Sequence, residues 1–152
     1  MKIIKLILVG FILLPYTVVA QGNIRYATIK AIRGNVQVRG IDSKKWEVAT
    51  VGKVLKEGDV IKTGTDGWAL LAIDDGKTAE VEVSANSQLL LSELKGKVSN
   101  NTQKTLLDLA IGKILIKVQK LHRKESKFEV KTPTSIVGVR GTVFAVEVES
   151  LE

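Results

Sequence analysis

A reaction centre needs titratable or nucleophilic groups that can converge, and this chain offers few. Its one histidine, His122, lies among Lys117, Lys120, Arg123, Lys124 and Lys127, with only Glu125 in opposition. Neighbouring positive charge disfavours the imidazolium form, and no nucleophile and orienting third group stand ready to complete a triad with it. Ser84, Ser87 and Ser92 fall in or beside strand-like runs without a nucleophile-elbow motif. Asp74-Asp75-Gly76 and Asp66-Gly67 hold too few carboxylates for a calcium loop, which supplies oxygen ligands at alternating positions; they read as turns. With no cysteine, disulfides and thiolate metal sites are excluded. The reading is a protein without catalytic residues, metal or cofactor.

Binding chemistry has more to work with. The plain reading of the basic stretch is a solvated hairpin tip whose cations keep a loop soluble and guard a sheet edge. The alternative is contact with an anionic partner, a glycan or a membrane surface, through Lys117, Lys120, Arg123, Lys124 and Lys127, centred on Lys120, Arg123 and Lys124. Trp46 and Trp68 read as packing residues in preference to recognition anchors.

The elements that must position these groups are strands. Past residue 20 the dominant signal is period-two alternation: Val36 and Val38, Val81 and Val83, Ile114 to Val118, Phe128 and Val130, and Phe144 to Val148 alternate with polar neighbours. Turn residues punctuate the runs at Arg33-Gly34-Asn35, Glu57-Gly58-Asp59, Gly64-Thr65-Asp66-Gly67, Asp74-Asp75-Gly76, Ala110-Ile111-Gly112-Lys113 and Arg140-Gly141. Leu94 to Thr105 is polar and reads as a surface loop. An all-β domain is expected, a compact antiparallel sandwich or barrel-like body, with a short solenoid-like β stack as the alternative.

The first twenty residues have a basic start (Lys2, Lys5), an apolar run from Leu6 to Val19, and small residues before Gln21. That is the pattern of a secretory signal cut after Ala20, since the run is shorter than a membrane span and carries Pro15. Residues 1–20 are therefore expected to be a signal peptide and 21–152 one β domain, periplasmic or extracellular. The leader holds two lysines and no acid, so the formal charge of +7 falls to +5 without it. Such a balance favours anionic surfaces, and export removes nucleic acid as a partner.

One ordered set of motifs is more specific than any single residue. Gly58-Asp59, Thr63-Gly64, Asp66-Gly67 and Asp75-Gly76 are followed by Leu109 with Gly112, then Thr132-Pro133, then Arg140-Gly141-Thr142 and Phe144. Across Leu55 to Val146 this order resembles the FecR domain. The resemblance implies an all-β envelope module that relays signals outside the cytoplasm and is not known for catalysis. Members that regulate sigma factors carry a cytoplasmic segment, one membrane span and a receptor-contacting C-terminal part. This chain opens on its leader and stops at Glu152, so a stand-alone exported FecR-domain protein is expected instead. Most of the signature reads as scaffolding, with Arg140 expected to pair with Asp59 or another turn carboxylate.

The expected function is a non-enzymatic module that binds another envelope protein in signalling or assembly. The alternative is a binder of envelope polymer, peptidoglycan or another anionic glycan, or of the membrane surface. Ionic strength separates the two, because contacts between exposed charges are screened by salt.

Overall fold

The computed structural model describes residues 22–121 and 123–149. The expected signal peptide and His122 lie outside the described residues. Twelve strands follow one another: β1 (Ala27–Arg33), β2 (Val36–Arg39), β3 (Glu47–Val48), β4 (Val54–Leu55), β5 (Val60–Thr63), β6 (Trp68–Ile73), β7 (Ala79–Val83), β8 (Gln88–Lys97), β9 (Thr102–Val118), β10 (Lys127–Lys131), β11 (Ile136–Val139) and β12 (Val143–Val148). They form one curled, mostly antiparallel body, a half-barrel whose two layers share β9, with β1, β4, β6, β7 and β12 in one sheet and β2, β3, β5, β8, β10 and β11 in the other. Among the described residues no helix is long and apolar enough to cross a membrane.

The period-two pattern sorts each strand into an inner and an outer face. Ala27 and Ile29, Val36 and Val38, Ala69, Leu71 and Ile73, and Val81 and Val83 all point into a single core. Each fully buried Leu or Ile contributes roughly 2 kcal/mol. Without disulfides, this burial is what holds the domain together.

β9 organises the rest. Its first half pairs with β8 and its second half with β7, so β7, the Ser84–Ser87 corner and β8 run antiparallel along one edge of the whole strand. At Gly112 the strand bends, and the inward-facing parity switches from Leu107 and Leu109 to Ile114 and Ile116. Gly112 has φ +96°, and a Cβ there would lie 2.2 Å from Ser87 Oγ. Buried hydroxyls satisfy the backbone groups freed by the corner. Ser87 Oγ accepts from Lys113 N at 2.9 Å, and Thr63 Oγ1 accepts from Ser87 N at 2.9 Å while donating to the Ser84 carbonyl at 2.6 Å. An unpaired polar group at such depth would be destabilising.

The bend also explains the parallel β9–β10 pair. Parallel neighbours ordinarily need a crossover of a dozen or more residues; here the second half of β9 makes that return journey. The 119–126 connection has only to step from one sheet to the other before β10 aligns with residues 104–108. β11 then pairs with β10, and β12 pairs with the second half of β9.

At the end of the domain opposite the bend, the two layers are bolted by Arg25, which is 5% exposed. Its guanidinium donates to Asp74 Oδ2 at 2.7 and 2.9 Å and to the carbonyls of Lys95 and Lys104 at 3.2 and 3.0 Å. Thr78 Oγ1 adds a 2.5 Å bond to the same carboxylate oxygen.

The structure revises three local expectations. The 94–105 loop shrinks to a turn at 98–101, because β8 continues to Lys97 and β9 begins at Thr102. The 110–113 turn is a bend inside one strand, since backbone pairing continues on both sides of Gly112. The basic stretch is not a hairpin tip, because it links antiparallel β9 to a parallel neighbour across two sheets.

Two substitutions test this frame. Gly112→Ala is expected to lower unfolding stability by about 2–4 kcal/mol through overpacking and backbone strain, measured by urea denaturation. Asp74→Ala, which strands a buried guanidinium, is expected to lower it by about 3 kcal/mol.

Candidate functional site

The family-like motif residues serve the scaffold. Asp59 accepts from the backbone N–H of Ile41 and Lys56 at 3.1 and 2.9 Å, and Gly58, at φ +88°, has Ile41 packed where a side chain would stand. Gly64 N donates to the Asn35 carbonyl, Asp66 Oδ1 accepts from Asn35 N, and Gly67 N donates to the Gly64 carbonyl. Asp75 takes the Tyr26 hydroxyl at 2.8 Å and Lys30 at 3.3 Å, beside the Gly76 turn. The Tyr26 hydrogen bond, followed by Lys30, holds the Asp75 carboxyl below its ordinary range. Thr132 closes the β10–β11 turn, its Oγ1 accepting from Ser135 N at 3.0 Å, with Pro133 exposed in the turn. The Thr142 carbonyl accepts from Val118 N, and Phe144 packs on the core.

Arg140 does not meet Asp59. Its Nη2 donates to the carbonyls of Arg123 (3.2 Å), Lys124 and Ser126 (3.4 Å), while Gly141 lies against Lys120. The arginine therefore clamps the basic connection to the β11–β12 crossing. Lys117, Lys120, Arg123, Lys124 and Lys127 are all exposed. Lys124 and Lys127 line one groove together with Arg140, whereas Lys117 lies on β9 beside β7.

Lys127 also belongs to a second grouping, one hidden from the linear sequence. In backbone register, Lys95 of β8 stands opposite Lys104 of β9, and Lys104 stands opposite Lys127 of β10. Residues in register share a face, so three exposed lysines cross three adjacent strands in one row, at an interstrand spacing of about 4.8 Å. Like charges placed directly opposite are destabilising. Glu93 offsets part of the row, at 3.0 Å from Lys104 and 3.6 Å from Lys95. The Lys104 hydrogen bond holds the Glu93 carboxyl below its usual range, and the same bond raises Lys104. Lys127 takes part in no ion pair among the described residues.

A second feature lies beyond the row. Among the described residues β11 is hydrogen-bonded to β10 alone. Thr132 N donates to the Ser135 carbonyl at 2.8 Å, closing the hairpin. Antiparallel alternation then turns the backbone groups of Val137 and Val139 toward β10 and those of Ile136 and Gly138 outward. The strand carries no charge, and Ile136 and Val137 are exposed by 64% and 40%.

Trp46 and Trp68 are each half-buried under cations: Arg39 lies 4.7 Å from the Trp46 ring and Arg33 lies 4.6 Å from the Trp68 ring. Each ring carries one of the protein's own arginines over a face, a cation–π contact.

A family model described as FecR protein matches residues 59–151, which takes in β5 to β12, the lysine row and β11. No curated protein and no solved structure matches the chain.

Glu93→Gln is expected to lower stability by about 1 kcal/mol or less in low salt, and by less in about 1 M salt. Because the folded-state carboxyl is depressed, its contribution is present above the ordinary carboxylate range and disappears as pH falls through the depressed value. Urea unfolding of both proteins at neutral and acid pH checks it.

Proposed function

Because this chain belongs to the FecR family, we propose that it is an exported, non-enzymatic module that binds another envelope protein in signalling or assembly, by strand addition along β11. The family is one of signalling regulators without enzymatic activity. The basic start, apolar run and small residues ahead of Gln21 support export.

The observation that carries the reading is the unguarded edge. Natural sheets protect edges with charges, proline, bulges or very short strands. Here β3 and β4 are two residues each, whereas Ile136–Val139 presents outward backbone donors and acceptors with exposed apolar side chains and none of those defences. Such an edge suits an extended segment of a partner, with main-chain bonds giving affinity and side-chain contacts giving selectivity.

Two variants block the edge without touching the core. Gly138→Pro removes an outward N–H at a position where an added Cβ meets nothing within 4 Å, and Ile136→Lys adds a guarding charge. In intact envelopes, crosslinking mass spectrometry is expected to map one partner protein to β11 in the wild type and to lose those crosslinks in both variants, with thermal stability unchanged. Retention of the same crosslinks in both variants would overturn the reading.

A further inference from the structure

The lysine row is a local rule broken without evident structural benefit. Cross-strand neighbours of like charge weaken a sheet; Glu93 pairs with Lys95 and Lys104 and Glu129 adds negative charge beside Lys104, which leaves Lys127 without an ion pair among the described residues. Departures of this kind from local consistency are expected where function requires them. The row also lines a groove of about 480 Å3, together with Lys97 and Asn100 at the β8–β9 turn and Glu125 of the 119–126 connection. We propose that this groove is a binding site for a linear acidic polysaccharide, with Lys95, Lys104 and Lys127 each facing a carboxylate or phosphate along the chain.

Two features select that ligand class. The cations repeat at the interstrand spacing of about 4.8 Å, which suits a polymer carrying charge at regular intervals. Asn100 and Thr102 line the same groove, and the 2.7 Å bond from Thr102 Oγ1 to Asn100 Oδ1 leaves the Asn100 amide N–H groups and the Thr102 oxygen lone pairs as partners for sugar hydroxyls. The site lies on the outer face of β8, β9 and β10. It is independent of the strand-addition reading, which uses the backbone edge of β11.

The test uses the full chain with polygalacturonate as probe, followed by isothermal titration calorimetry. Lys95→Gln/Lys127→Gln removes the two flanking cations and leaves the Glu93–Lys104 pair intact. Lys44→Gln/Lys45→Gln removes the same charge from an exposed loop elsewhere. The row variant is expected to bind polygalacturonate at least ten-fold more weakly, with a shallower salt dependence and an unchanged or raised Tm. The loop variant is expected to bind as the wild type does. Equal loss in both variants would reduce the effect to net charge and overturn the site. Equal binding by all three proteins, equal affinity for neutral dextran, or binding to phosphatidylcholine–phosphatidylglycerol vesicles without binding to polygalacturonate would each overturn it as well.

Discussion

The contact between Gly112 and Ser87 is the constraint on which this fold turns. A seventeen-residue strand left straight would give one extended ribbon with β7 and β8, its apolar residues unable to close on themselves. The bend folds that ribbon over, switches the inward parity of β9, and lets Leu107 and Leu109 share a core with Ile114 and Ile116. It requires a left-handed backbone at a residue with no room for a Cβ, and hydroxyls from Thr63 and Ser87 to satisfy what the corner unpairs. Arg25 closes the opposite end with a buried charge held by one carboxylate and two strand carbonyls.

Both candidate binding features descend from the bend. Because β9 doubles back, its second edge is divided between β10 and β12, and the chain can lay β10 parallel to β9 with only a short connection. That parallel placement brings Lys127 level with Lys104 and Lys95. It also leaves β11 as the outermost strand of its layer, paired on one side. The FecR signature residues hold turns and crossings in place.

Much of the fold was legible in the sequence, because period-two alternation and Asp-Gly or Asn-adjacent turns are local properties. The strands at 36–39, 79–83, 127–131 and 143–148 follow directly from them. What stayed hidden depends on pairing between distant segments. The 94–105 segment is polar on its outer face, yet Leu94 and Thr105 pair inward across two long strands, and polarity alone could not separate that from a loop. Arg140 looked like a partner for Asp59 or another turn carboxylate, but Asp59 already accepts two backbone N–H groups, and the guanidinium is bonded to carbonyls instead. The basic stretch drew attention to 117–127 as a unit, whereas the sheet register also joins Lys127 to Lys95 and Lys104. The alternate lysines at 95 and 97 were the visible trace of that face, and only the register of β8 on β9 gives them meaning.

The central claim is that β11 is an open edge built to accept a partner strand. Residue-resolved amide hydrogen exchange tests it most directly, first on the isolated chain and then with envelope extract added. The account predicts that in isolation the amides of Val137 and Val139 are protected while those of Ile136 and Gly138 exchange freely, and that the latter two become protected in the extract. Protection of Ile136 and Gly138 already in the isolated chain, or free exchange of both in the extract, would contradict it.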